Sequence, residues 1–191
     1  MERSMSMNYK EASRLIMSEV ETALSQVDED QVAALAEMIT GSEKVFLVGV
    51  GRVLLSLQAF AKRLNHLGIP AFFVGEINEP ALTPKDLLIV GSGSGESLFP
   101  VAIAKKAKGL GAKVVHIGSN PQSAMAPVAD LLVRIPVQTK LGLPDELQSK
   151  QIMSSLFEQS LLLLGDAVAL MIASEKNLDI KALWRHHANL E

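Results

Sequence analysis

Five short apolar runs punctuate this chain, at positions 45–48, 71–74, 87–90, 114–117 and 131–135. They read Val-Phe-Leu-Val, Ala-Phe-Phe-Val, Leu-Leu-Ile-Val, Val-Val-His-Ile and Leu-Leu-Val-Arg-Ile. Most lack the polar–apolar alternation of a strand with one wet face, so they predict strands covered on both sides. Stretches with helical spacing separate them, such as 54–67, closed by Gly68, and 98–110. Strand and helix in alternation predict a parallel sheet. The expected fold is α/β: a three-layer αβα sandwich around a five-stranded parallel sheet. Ligands in such sheets bind beyond the carboxyl ends of the strands.

The ends of the chain add helices. Over 9–40 the residues Leu15, Ile16, Val20, Ala23, Leu24 and Val27 form one apolar stripe. Asp28-Glu29-Asp30 reads as a helix restart, and Gly41 as its end. Residues 136–144 read as a loop, 148–174 as a long leucine-rich helix and 180–188 as a short final one. The long helix is apolar around most of its circumference, which predicts burial on more than one side and contact with another copy. The expected organisation is one domain over 1–191. Its N-terminal helices (about 8–40) and C-terminal helices (about 148–188) would pack on the sheet and on neighbouring subunits.

Composition narrows the function. The chain has 191 residues, enough for one domain with a substantial core, and 48% of them are apolar. Net charge is −3 with no clustered Lys or Arg, which argues against nucleic acid as partner. There is no cysteine, so disulfides and thiolate metal sites are excluded. No His/Asp/Glu group has convincing metal-ligand spacing. No apolar run approaches about 20 residues, so no membrane span is expected. The polar residues 1–10 lack a signal peptide's apolar stretch, which predicts a cytoplasmic protein. Met7 can serve as the natural start, with 1–6 a remnant.

Two of the apolar runs end in glycine turns. Gly49-Val50-Gly51-Arg52 follows the first, and Gly91-Ser92-Gly93-Ser94-Gly95-Glu96-Ser97 follows the third. Glycine permits positive φ and close backbone approach. The serines add hydroxyls, and a following helix adds free N–H groups and a positive dipole end. That combination suits a phosphate, although a serine-rich helix cap without a ligand would look similar. Pro100 is tolerable in the first turn of such a helix. The first turn opens like a dinucleotide fingerprint, but position 54 is Leu where the third glycine belongs, and only Glu76 stands near an acidic partner's place. A Walker A motif is absent. The hydrolase elbow Gly-x-Ser-x-Gly fails too, since Gly93 stands midway between Gly91 and Gly95.

Isolated residues are harder to read. Arg52 begins a helix at the same sheet edge, where it would clamp ligand oxygens or stay a surface cation. Glu158 lies in Leu156-Phe157-Glu158-Gln159 and either faces solvent or enters a pocket. His66 ends a helix, where the dipole favours its charged form. His116 lies inside a strand and reads as a core residue. His186 and His187 form a pair near the chain end.

Together these segments resemble a SIS (sugar isomerase) domain, and within that family the 6-phospho-3-hexuloisomerase group. The resemblance rests on Gly49-Val50-Gly51-Arg52, on Lys62-Arg63-Leu64-Asn65-His66-Leu67-Gly68 and on the glycine–serine loop. It rests further on Gln151-Ile152-Met153-Ser154-Ser155-Leu156-Phe157-Glu158-Gln159 and on the ending Arg185-His186-His187-Ala188-Asn189-Leu190-Glu191. It implies a flavodoxin-like five-stranded sheet, assembly as a homotetramer or dimer, and no cofactor. It implies interconversion of 3-hexulose 6-phosphate and fructose 6-phosphate through an enediol. Gly51, Arg52, Ser92, Gly93, Ser94, Gly95 and Ser97 would bind the phosphosugar, with Glu158 as base and His187 assisting from the chain end, within reach of a neighbouring subunit's site. Two departures stand out: Val53 replaces the family's serine after Gly-x-Gly-Arg, and Asn78-Glu79-Pro80 replaces a threonine-rich turn and adds a carboxylate. The alternative readings are a non-catalytic phosphosugar-binding protein and an isomerase for a different sugar phosphate; a nucleotide-binding protein is weaker.

Overall fold

The computed structural model describes residues 7–190; residues 1–6, including the remnant suggested above, lie outside the described residues. Ten regular elements follow in the order α1 (Tyr9–Leu24), α2 (Glu29–Thr40), β1 (Val45–Val48), α3 (Gly51–His66), β2 (Ala71–Phe73), β3 (Leu87–Gly91), α4 (Leu98–Gly109), β4 (Lys113–Gly118), β5 (Leu131–Arg134) and α5 (Ser155–Glu175). A 3₁₀ turn, Ala182–His186, closes the chain. The strands form one parallel sheet in the order β2-β1-β3-β4-β5.

The absence of alternation in the strands has the expected cause. Val45 and Leu47 join a core beneath α1, α2, α3 and α5, while Phe46 and Val48 join a second core beneath α4. Both faces of β1 and β3 are fully buried. The restart at Asp28 is an N-cap whose Oδ1 accepts from the N–H groups of Asp30 at 2.9 Å and Gln31 at 3.3 Å. Gly41 caps α2 with φ −86°, so it does so without the left-handed geometry that favours glycine.

Three elements differ from expectation. α3 begins at Gly51 rather than near 54, because Gly51 takes φ +57° and lets the chain enter the helix directly from the turn. α5 begins at Ser155 rather than 148. Glu19 of α1 holds the preceding segment open, accepting from Ser149 Oγ at 2.6 Å, Lys150 N at 2.9 Å and Gln151 Nε2 at 3.1 Å. Met153, at φ 55°, then breaks any helical continuation. The final helix is only the 3₁₀ turn.

α5 also departs from expectation in its hydropathy. α5 is long and apolar enough to cross a membrane, by length and composition. Its Leu156, Phe157, Leu161, Leu164, Val168 and Ile172 are nevertheless buried in the first core. Its opposite face leaves Leu162, Leu163, Leu170 and Met171 exposed.

α3 and α5 lie side by side and run the same way. Arg52 pairs with Glu158, a methyl on Gly165 would come within 2.8 Å of Phe60, and Arg63 pairs with Asp166 at 3.0 Å. The glycine allows this close approach. The parallel course carries the start of α5 to the carboxyl edge of the sheet.

Candidate active site

Chain direction reverses across the sheet between β1 and β3: β1 leads outward to β2, and β3 leads the other way to β4. The two glycine turns therefore diverge at neighbouring strand ends and leave a crevice between them. Val50, Val53, Gly91, Ser92, Gly93, Ser94, Ser97, Thr139, Lys140, Met153, Ser154 and Phe157 line a cleft of about 230 Å³ there.

Two helices aim their N-termini at this edge. Val50 caps α3 and Ser97 caps α4, and neither side chain makes a capping bond. Their first-turn N–H groups and dipoles remain available to an anion. The glycine–serine loop is fastened from below. Ser92 N–H donates to Ile117 O at 3.0 Å, and Gly93 O accepts from Ser119 N at 2.8 Å. Gly95 sits at φ +67° and donates to Ser92 Oγ at 3.1 Å. A methyl there would meet Ser123 Oγ at 2.2 Å, so no side chain fits. With the carbonyls tied down, the Gly93 and Ser94 N–H groups make no hydrogen bond among the described residues. Ser92 Oγ lies 3.3 Å from Ser97 Oγ. The loop thus gathers hydroxyls and unused N–H donors on one concave surface, a suitable arrangement for phosphate oxygens.

Glu158 enters from the first turn of α5 and is ion-paired with Arg52. Its side chain is 12% exposed, against 65% for Arg52. Its backbone carbonyl accepts from Ser56 Oγ of α3 at 2.9 Å, which locks the α5 turn onto α3. A carboxylate with an oriented guanidinium beside it can move a proton while the cation stabilises negative charge on neighbouring oxygens.

Thr139 and Lys140 are site residues that the sequence reading does not single out. Buried Glu146 shapes their loop, accepting from Thr139 Oγ1 at 2.8 Å, Thr139 N at 3.1 Å and Leu143 N at 2.9 Å. Lys140 adds a cation to the cleft. Its available signal is its place in the loop just past the carboxyl end of the last strand. Val53 lines the cleft, and its Cγ1 would lie 2.9 Å from a methyl on Gly91, so it fills the space those glycines leave. Glu79 is outside the cleft and folds back to accept from Gly75 N at 2.8 Å.

His187 is placed elsewhere. It lies with His66, Arg63, Leu67 and Trp184 around a second cavity of about 400 Å³, its ring 5.5 Å from that of His66. His66 ends α3, 14 positions beyond Arg52, which at 1.5 Å per residue is about 21 Å along the helix. Within one chain, His187 and Glu158 therefore occupy opposite ends of α3. His66 also corrects an expectation. Partial burial, then Lys62 and Arg63, lower the pKa of its imidazole, the opposite direction to that expected from the helix end.

His116 is buried, as expected, and burial lowers its pKa as well. Both histidines bind a proton more weakly in the folded chain. Below about pH 6.5 the unfolded chain therefore holds more protons, and stability falls as pH drops further. The melting temperature is expected to fall between about pH 7 and pH 5. The fall should be shallower in His116→Gln; equal slopes would show that His116 contributes nothing to it.

A SIS domain model matches residues 38–163, a span running from the end of α2 into α5. The chain is 40% identical over 176 residues to 3-hexulose-6-phosphate isomerase of Bacillus subtilis, covering 92% of this chain and 95% of that one. It is 38% identical over 177 residues to the Mycobacterium gastri protein of the same name, covering 93% and 88%. A solved structure from Methanococcus jannaschii, for which a 3-hexulose-6-phosphate isomerase function has been inferred, superposes with a TM-score of 0.80. That protein is 31% identical, with 95% of this chain and 99% of the other covered. The parallel sheet, the glycine–serine loop at its reversal point and these relatives agree: the chain belongs to the SIS domain family.

Proposed function

We propose that this protein is a 3-hexulose-6-phosphate isomerase that exchanges its substrate with fructose 6-phosphate. The observation that carries the reading is a phosphate-suited loop lining a cleft at the carboxyl edge of the sheet, with the Arg52–Glu158 pair at the same edge, on the first turns of α3 and α5 but outside the residues that line the cleft. Ser92, Ser94 and Ser97, with the Gly93 and Ser94 N–H groups, hold the phosphate, and Gly51 and Gly95 keep the backbone clear. Lys140 offsets its charge. Glu158 takes the proton from C3 of fructose 6-phosphate and leaves an enediolate across C2 and C3. It returns the proton to C2, while the hydroxyl proton passes from O3 to O2, giving the 3-hexulose. Arg52 steadies the enediolate oxygens. Holding the phosphate far from the reacting carbons supplies orientation.

The cleft of about 230 Å³ is smaller than the ~300–1,000 Å³ usual for small-molecule sites. We therefore infer that a second copy completes it and brings His187, and that the exposed leucines of α5 lie in the contact within a dimer or tetramer. A phosphorylated substrate, which does not cross membranes unaided, places the work in the cytoplasm.

Ser97→Ala separates binding from folding. A capping serine typically contributes ~1 kcal/mol to stability, but Ser97 makes no cap bond. Its loss should leave the melting temperature nearly unchanged and raise KM about three- to tenfold. An unchanged KM would remove Ser97 from the phosphate site.

The function is tested by incubating the purified protein with fructose 6-phosphate and following the ketoses by NMR. Appearance of 3-hexulose 6-phosphate is expected. Tight binding of a phosphosugar without turnover would instead identify a binding protein.

A further inference from the structure

Beneath the glycine–serine loop lies a polar side chain that the proposed chemistry does not use. His116 sits in the middle of β4, paired in register with Val90 of β3 and Leu132 of β5, and is 1% exposed. Its Nε2 lies 2.9 Å from the carbonyl oxygen of Ser92. A carbonyl only accepts, so Nε2 carries the proton and donates. The ring also touches the loop elsewhere: a methyl on Gly95 would lie 3.0 Å from its Cε1. On the other side, a methyl on Gly118 would lie 2.3 Å from Nε2 and 2.5 Å from the Ser92 oxygen. The glycines at 95 and 118 leave the room that this ring occupies.

A histidine is an expensive choice for such a place, because burying a polar group costs free energy unless it is bonded. An apolar residue would fill a strand interior as well. What the imidazole adds is a second donor at one carbonyl, which also accepts from Gly95 N–H at 3.1 Å. Ser92 is the residue whose N–H, hydroxyl and carbonyl are all engaged in setting the loop: with Ile117, with Gly95 and Ser97, and with Gly95 and His116. Turning the Ser92 carbonyl downward fixes the plane of the peptide joining Ser92 to Gly93. That peptide carries the unused Gly93 N–H.

We propose that His116 is a positioning residue for the phosphate loop, holding the Ser92–Gly93 peptide so that the Gly93 N–H points into the cleft. Burial lowers the pKa of the imidazole and so favours its neutral form, and the Ser92 carbonyl, which only accepts, selects the tautomer with the proton on Nε2. The role rests on the reading of residues 91–97 as the phosphate anchor. Since the phosphate lies away from the reacting carbons, loss of His116 weakens binding and leaves the proton transfer intact.

The test compares wild type with His116→Met, His116→Gln and Ser94→Ala, each for fructose 6-phosphate binding by calorimetry and for KM and kcat. His116→Met keeps the volume and loses the donor. It should raise Kd and KM about five- to tenfold, the worth of one hydrogen bond, with kcat within about twofold. His116→Gln places an amide N–H at comparable reach and should recover most of the affinity. If His116→Met does not fold, His116→Asn serves instead, since its shorter amide stops near the Nδ1 position and should weaken binding similarly. Wild-type affinity in the Met or Asn variant overturns the proposal. So does a loss confined to kcat, or a Gln variant as weak as the Met one. Ser94→Ala separates the two claims: if it binds as tightly as wild type, the anchor itself is misplaced. If it binds weakly while His116→Met binds normally, only the role of His116 fails.

Discussion

Glu158→Gln is expected to lower turnover by about a thousandfold or more while fructose 6-phosphate still binds within a few-fold of wild type. A positioned base contributes on the order of 10²–10⁴ in rate, and here one carboxylate is asked to move the proton in both half-reactions. The amide preserves shape but accepts no proton. The substitution also breaks the ion pair with Arg52, whose guanidinium is largely exposed, so the stability cost should be small. Unaltered melting with lost turnover would assign the effect to chemistry. Full activity in Glu158→Gln would remove this residue from the mechanism.

The second large effect concerns subunits. Glu158→Gln and His187→Ala are each expected to be nearly inactive alone, the latter by about a hundredfold. About 21 Å of α3 separates the two ends of the helix within a chain, so a site using both groups draws them from different copies. Mixing and reassembling the two variants in equal amounts then pairs an intact Glu158 with an intact His187 in about a quarter of the sites. Activity should rise to roughly a quarter of wild type. If the mixture stays at the level of its components, His187 does not serve a neighbour's site.

Much of this molecule is legible in its sequence because parallel strands buried on both faces carry a distinctive pattern. All five strands lie within two residues of the apolar runs, and both glycine turns lie where helices begin. The features that escape are those set by partners distant in sequence. The start of α5 depends on Glu19, 130 positions before Ser149, and nothing local announces it. The Arg52–Glu158 pair spans 106 positions. Glu158 stands out only through resemblance, since an acidic residue in a helix is ordinarily a solvated one. Lys140 sits in a loop without periodicity, and its value comes from the strand it follows. His66 departs from expectation because the dipole is a local rule, while burial, Lys62 and Arg63 lower its pKa through groups that the helix-end pattern does not weigh. The apolar character of α5 is plain from its composition. Which of its faces the sheet covers depends on the tertiary packing.

The crevice between β1 and β3 is expected to shuttle a proton between adjacent carbons of a phosphosugar. The most direct measurement is NMR of fructose 6-phosphate incubated with the protein in deuterated water. The expected result is 3-hexulose 6-phosphate, with deuterium at C3 of the recovered fructose 6-phosphate and at C2 of the product, and neither in Glu158→Gln. Bound but unchanged fructose 6-phosphate, free of deuterium after prolonged incubation with the wild-type protein, would contradict it.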